Sequence, residues 1–320
     1  PLPPWMRHDN ITITYTPATN YSGNDSFAVR VSDGSDSAVR TITVTVQAVA
    51  PGAPTGAVAT PGDRQASVAF SAPSSNGGAP IDGYTVTSAP EGLTGTGTHS
   101  PIVVPGLTNG TSYTFTVIAT NAVGSSGASL PSAAVTPKGD QTITFANPGP
   151  QNFGTTPTLS ATASSGLAVS FSSTTPGICT ITGVGAMTLV SAGNCTIVAA
   201  QSGDSAWNAA TTVSQTFAIN AIAPGAPTIG TATGGNTQAF ITFTAPSSNG
   251  GAPIDTYTAT SSPGGKTGSC AGPPACTITV SSLTNGTDYT FTVTATNSAC
   301  TGAASASSNT VTPKSTQTIT

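Results

Sequence analysis

Between Leu107 and Gly124 the chain alternates with a period of two. Tyr113, Phe115, Val117 and Ala119 fall on one side, and Thr or Ile fills the other. The pattern returns between Leu283 and Gly302, where Tyr289, Phe291, Val293 and Ala295 take the same places. Each run follows a turn carrying Asn-Gly. An apolar inner side with a Thr-rich outer side is what a half-buried antiparallel sheet requires, because successive side chains alternate across it. The predicted fold class is all-β, a series of tandem sandwiches arranged end to end.

Three further strand-like runs precede the first copy: Ile11–Tyr15, Ser26–Ser32 and Val39–Gln47. Between the last two, Ser32-Asp33-Gly34-Ser35 is a hairpin turn signal. Three strands cannot cover both sides of a sandwich, so this first unit reads as partial. A Pro/Gly-rich joint follows at residues 48–54 and returns at 221–227; its prolines fix φ, which predicts semi-rigid spacers.

From each joint onward the two copies run in parallel. Phe70 and Phe243, Ile81 and Ile254, and Tyr84 and Tyr257 are all 173 residues apart, whereas Tyr113 and Tyr289 are 176 apart. The second copy therefore has three extra residues near Cys270 and Cys276, which places that insertion in a loop. Between the copies lie seven short runs, QTITFA, PTLSATA, LAVSF, CTI, AMTLV, NCTIVAA and TVSQTFAI, at the spacing of another sandwich. At the far end Gln317-Thr318-Ile319-Thr320 repeats Gln141–Thr144, so a unit of 176 residues recurs and the chain reads as a window on a longer array.

Composition narrows the function classes. Only 6% of residues are charged, against roughly 25% in ordinary soluble domains, so Ser, Thr, Asn and the backbone must carry solvation. With seven Lys plus Arg and a net charge of -4, no basic footprint for nucleic acid or an anionic membrane is expected. Every long apolar run is interrupted, so no membrane insertion is expected in this segment. The opening PLPPWMRHDN lacks an apolar signal core, and any export signal is expected outside it.

The five cysteines suit an exported, oxidised protein. Cys179 and Cys195 each head a Cys-Thr-Ile triplet and share inward parity with Ile181 and Ile197. A bridge between them would close a loop of about fifteen residues, worth on the order of 3 kcal/mol. Three neighbouring strands of one flat meander would hold the sulfurs too far apart, so either one strand crosses to the facing sheet or Cys179 sits on a turn. Cys270 and Cys276 flank AGPPA, a tight loop that a bridge could pin. Cys300, in the turn where the first copy has Gly124, is either a free thiol or an intermolecular link.

Several stretches resemble known families. Residues 49–138 and 222–314 resemble fibronectin type III domains of the bacterial kind. The resemblance rests on PSSNGGAPI (Pro73–Ile81, Pro246–Ile254), on Tyr84 and Tyr257, and on the Leu-Thr-Asn-Gly-Thr-x-Tyr turn, whose Tyr113 or Tyr289 looks like that fold's tyrosine corner. Phe70 and Phe243 stand where animal members carry a core Trp. Residues 139–221 resemble bacterial Ig-like repeats through the Cys-Thr-Ile pair and the segment Gly203-Asp204-Ser205-Ala206-Trp207-Asn208-Ala209-Ala210. Residues 1–48 resemble the C-terminal half of cadherin-like tandem domains, and 315–320 read as the first strand of a following Ig-like repeat. These resemblances imply an extracellular protein, secreted or on a bacterial cell surface.

Candidate chemistry is sparse. Glu91, His8 and His99 lie in no catalytic motif, so no catalytic residue is assigned and both histidines read as solvated surface. Asp25, Asp33 and Asp36 offer hard oxygens, but hairpin turns use Asp routinely; no metal and no cofactor are expected. Trp207 reads as core rather than as a sugar platform.

The leading functional expectation is a non-enzymatic stalk or adhesin segment, with host or matrix surfaces as partners. A second expectation is a filament in which Gln317, Thr318, Ile319 and Thr320 of one copy complete the open sheet at the head of another. A third is a spacer or carbohydrate-binding accessory of a secreted polysaccharide hydrolase.

Overall fold

The structure is a computed structural model that describes residues 12–32, 35–272 and 276–315. Among these residues there is no helix, and two compact units are formed: Pro1–Asp140 with Gly203–Ala209, and Gln141–Ser202 with Ala210–Thr320.

The first unit opens with a two-stranded antiparallel ribbon, β1 (Gly23–Ser32) and β2 (Ser37–Val46), paired from Gly23 with Val46 to Ser32 with Ser37. Residues 12–15 are not a strand, contrary to the expectation for the run from Ile11. Tyr15 lies over the ribbon instead, its ring stacked on Phe27 and its hydroxyl donating to Asp25 at 2.7 Å. That bond pushes the Tyr15 phenol up to about 12 and holds the Asp25 carboxyl below its ordinary value.

The first sandwich follows. One sheet orders β3 (Thr55–Gly62), β4 (Gln65–Ser71) and β7 (Ile102–Pro105). The other orders β6 (Thr94–Gly97), β5 (Ile81–Ala89), β8 (Thr114–Asn121) and β9 (Gly124–Ser125). Strand β8 alternates without exception, and Phe115, Val117 and Ala119 are wholly buried against Val68, Val86 and Val104 of the other strands. Phe70 packs on Tyr84 with ring centroids 4.8 Å apart, filling the place of the expected core aromatic. Tyr113 lies just ahead of β8, and its hydroxyl accepts the Thr108 amide proton at 3.1 Å, the geometry of a tyrosine corner.

In the second unit the middle sandwich has three sheets. They are β10 (Ile143–Thr144) with β12 (Thr162–Ala163); β11 (Gln151–Asn152), β17 (Val213–Asn220), β16 (Gly193–Ala200) and β13 (Ser170–Ser173); and β14 (Cys179–Ile181) with β15 (Met187–Leu189). Each of the seven expected runs contains a strand. Strand β11, which pairs in parallel with β17, carries no alternation that would announce it.

The second fibronectin-like sandwich repeats the first, with β18 (Thr228–Gly234), β19 (Gln238–Thr244) and β22 (Ile278–Ser281) facing β21 (Thr267–Ala271), β20 (Ile254–Ser262) and β23 (Thr290–Asn297). Tyr289 accepts the Thr284 amide proton at 3.1 Å, and Phe243 packs on Tyr257.

The outer neighbour of β8 is not a flat strand. The amides of Ser126, Ser129, Ser132 and Val135 donate to the carbonyls of Ala119, Val117, Phe115 and Tyr113. Three residues of this segment are spent for every two of β8, so it advances only ~2.3 Å per residue instead of the usual ~3.3 Å and must coil. Serine makes this workable, because the hydroxyls of Ser126, Ser129 and Ser132 accept the amide protons of Ala119, Val117 and Phe115. The second copy keeps the device with Ser305 and Ser308, while Gly302 replaces the first serine.

Two substitutions in the second sandwich should therefore act in opposite directions. Ser305→Ala leaves the buried Val293 amide without its acceptor and should cost about 1–2 kcal/mol. The Tyr257 hydroxyl is buried with no hydrogen-bond partner among the described residues, and burial raises its pKa. Tyr257→Phe should be neutral or stabilising, since it removes an unmatched polar group. Native-state hydrogen exchange at the strand amides of β23 reads both effects without interference from other domains; a large loss for Tyr257→Phe would refute the assignment.

Candidate functional site

The joints are where the two fibronectin-like copies use identical side chains for more than core packing. In the first, the Val49 amide donates to Gly77 O at 2.8 Å and the Gly52 amide to Ser75 O at 2.9 Å. In the second, Ile222 donates to Gly250 O and Gly225 to Ser248 O, both at 2.9 Å. The extended joint is thus stitched to the Ser-Ser-Asn-Gly-Gly loop of its own sandwich. Pro51, Pro54, Pro224 and Pro227 are buried, so the segment is an integral layer of the domain and not a free spacer. Its stiffness comes from these bonds as much as from proline.

A buried asparagine closes each joint. Asn121 Nδ2 donates to Val49 O and Asn76 O, both at 2.8 Å, while its Oδ1 accepts the amides of Val123 and Gly124. Asn297 does the same with Ile222 O, Asn249 O, Ala299 N and Cys300 N. Both are 3% exposed, and every donor and acceptor of the amide is used. Gly77 has φ +72°, and a Cβ there would lie 2.1 Å from Val49 O, so the loop can close on the joint only at glycine. The sequence carried one signal for this clasp, the identity of the Thr-Asn pair that ends both strands.

The same loops hold the segment that precedes each sandwich. Ser22 Oγ donates to Gly78 O at 2.6 Å and Asn76 N donates to Asn20 Oδ1 at 2.8 Å. At the equivalent carbonyl, Gly251 O accepts the Ala192 amide at 2.7 Å, and the Phe153 ring lies over Gly251.

At the opposite end of the first sandwich, residues 203–209 form a hydrogen-bonded turn in which Asp204 Oδ1 accepts the amides of Ala206 and Trp207. The turn bonds to the exit strand: Gly139 N to Ala206 O, Asn208 N to Gly139 O, and Lys138 Nζ to Asp204 O at 2.7 Å. Trp207 belongs to no core cluster, which corrects its reading as core. Its ring rests on Gly139 and borders a cleft with Arg64 and Asn109, because glycine leaves room for the indole edge.

Cys179 and Cys195 are bonded, with Cα atoms 5.7 Å apart, and belong to different sheets of the middle sandwich; of the two geometries the sequence allowed, the crossing strand is the one found. Cys270 and Cys276 are bonded around the inserted loop, and Cys300 is free and exposed. Asp25 is engaged by Tyr15, and His99 is exposed beside Thr98. Asp33, His8 and the strand-complementation candidates Gln317, Thr318, Ile319 and Thr320 lie outside the described residues.

Replacing the clasp gives a direct test. Asn297→Asp keeps the two turn acceptors and loses both donors to the joint, while Asn297→Ala loses all four bonds. Either should lower the stability of the second sandwich by about 2–3 kcal/mol. Limited proteolysis should then cut within 221–227, which resists cleavage in the parent chain; resistance in both variants would contradict the clasp.

A family model for the fibronectin type III domain matches residues 52–135 and 223–311, more than half of the chain. A bacterial Ig domain model matches residues 6–47, in place of the cadherin-like module that the sequence there resembles. Both are structural modules without catalytic machinery, of a kind typical of extracellular and surface proteins. No curated protein matches the chain. Among solved structures, the chicken CNTN1 FN1–FN3 domains are 16% identical over 82% of this chain and 99% of that one, with a TM-score of 0.27. The twitchin kinase region from C. elegans is 25% identical over 28% of this chain and 17% of that one, with a TM-score of 0.26. Through its two repeated sandwiches, the chain belongs to the fibronectin type III family.

Proposed function

We propose that this chain is a non-enzymatic, load-bearing segment of an extracellular bacterial stalk or adhesin. The observation that carries the reading is the joint, which is closed by the same backbone bonds and the same asparagine in both copies. A tether that must keep a distal binding surface away from a wall needs domains that resist unfolding and joints that resist bending. Three separate cores supply the first property and the clasped joints the second. The Cys179–Cys195 bridge adds a covalent limit to extension within the middle sandwich.

Single-molecule pulling tests this reading. The three sandwiches should unfold as separate force peaks. Reduction should lengthen one contour increment by about 50 Å and another by about 15 Å, since an extended chain gains at most ~3.6 Å for each of the 16 and 6 residue steps that the bridges shield, less the 5.7 and 6.5 Å that the bridged Cα atoms already span. A smooth, peakless extension at low force would contradict a mechanical role.

The ribbon favours a second reading, assembly with other copies by strand addition. No third strand pairs with β1 or β2 among the described residues, and Val31, Val39 and Ile42 are exposed. Concentration-dependent sedimentation that is abolished by Val39→Lys would support this reading; a monomer at all concentrations would remove it.

A further inference from the structure

The two fibronectin-like sandwiches close their first hairpin in the same way with different residues. In the first, Asn109 Oδ1 accepts the Arg64 amide at 2.9 Å, Asn109 Nδ2 donates to Asp63 Oδ1 at 2.7 Å, and the Leu107 amide donates to Arg64 O at 3.0 Å. In the second, Asn285 Oδ1 accepts the Thr237 amide at 2.9 Å, Asn285 Nδ2 donates to Asn236 Oδ1 at 2.8 Å, and the Leu283 amide donates to Thr237 O at 2.9 Å. Arg64 and Thr237 even share a φ of +53°. The hairpin closes as well on Asn-Thr as on Asp-Arg, so the fold requires neither charge. In a chain with only 6% charged residues, an adjacent pair of opposite charges that the fold does not require points to another role.

Asp63 and Arg64 border a cleft of about 470 Å³ within the first unit, the size of a small-ligand site, which they share with Thr108, Asn109 and Trp207. Trp207 is half-buried, and its position is fixed twice over: Asp204 Oδ1 accepts its amide at 2.9 Å, and the neighbouring Asn208 amide donates to Gly139 O at 2.8 Å. Asn109 fixes the other wall through its bonds to Asp63 and Arg64. The chemistry of the cleft is left unused. The Arg64 guanidinium and the Thr108 hydroxyl have no hydrogen-bond partner among the described residues, and Asp63 engages one carboxylate oxygen and leaves the other open. A ligand would therefore meet walls already in place and would lose little to ordering them.

We propose that the cleft at Arg64, Asp63, Thr108 and Trp207 binds a sugar unit that carries a carboxylate, a uronic acid residue of an acidic polysaccharide. The indole offers an apolar surface to the C–H face of the sugar ring. The Arg64 guanidinium takes the carboxylate through two parallel N–H donors. The open Asp63 oxygen and the Thr108 hydroxyl accept protons from ring hydroxyls. Other ligand classes match less of the cleft. An apolar molecule would leave Arg64 and Asp63 unpaired, a neutral sugar would leave Arg64 unused, and a simple anion would make no use of the indole while meeting the Asp63 carboxylate. The site adds a ligand to the load-bearing reading and does not depend on it.

The test is calorimetric titration of the full chain with a trimer of galacturonic acid, beside a trimer of glucose and acetate as the neutral and the ring-free probes. The acidic trimer should bind, the glucose trimer should bind at least about tenfold more weakly, and acetate should give no signal up to about 10 mM. Arg64→Thr installs the residue that the second copy holds at the same φ, so the hairpin is retained; it should weaken the acidic trimer by about tenfold or more and leave any affinity for the glucose trimer unchanged. Trp207→Ala should weaken both trimers, and Trp207→Phe, which keeps an aromatic ring in the turn, should lose less. No binding of the acidic trimer up to about 10 mM, equal affinities for the acidic trimer and either control, or indifference to Arg64→Thr or to Trp207→Ala would each overturn the proposal. The pulling experiment decides the load-bearing reading independently of all of these.

Discussion

Asn121 and Asn297 stand at the last position of the most regularly alternating strands in the molecule, and their amides bond to the joint that enters the same sandwich. The side chains before them on the inner face, Phe115, Val117 and Ala119 in one copy and Phe291, Val293 and Ala295 in the other, are almost wholly excluded from water. To swing the joint, the amide must give up two bonds in a buried place where water cannot replace them, or the strand must leave its core. Either is expensive. Bending at the entrance of each of the two fibronectin-like sandwiches is thereby coupled to the stability of that sandwich.

The same strand serves three purposes along its length. At its start Tyr113 anchors the Asn-Gly turn, in its middle the alternating residues fill the core, and at its end Asn121 grips the joint. Its outer neighbour is the serine segment, whose coil is tolerated only because each hydroxyl returns the hydrogen bond that a flat strand would have made. With so few charges available, this chain satisfies its buried polar backbone with Ser and Asn, and those side chains take structural duties that ion pairs perform elsewhere.

Period-two alternation made β8 and β23 legible, and the inward parity of Cys179 and Cys195 made their pairing legible, because both follow from a local rule about which way side chains point. Strand β11 and the serine segment were not legible: one is two residues long, and the other has a period of three that matches no standard strand. Trp207 was misread for a similar reason. An isolated aromatic says nothing about whether it faces its own core or a glycine 68 residues earlier, and only the fold brings Gly139 beneath it. The clasp lay in plain view as a repeated Asn, yet its meaning depends on a carbonyl 72 residues away.

The claim that the joints are fixed layers of their sandwiches is tested most directly by amide hydrogen exchange at Val49 and Ile222 in the intact chain under native conditions. The account predicts that both amides exchange slowly, with protection approaching that of Val117 and Val293 in the adjoining strands. Exchange at the rate of an unstructured Pro/Gly-rich linker would contradict it.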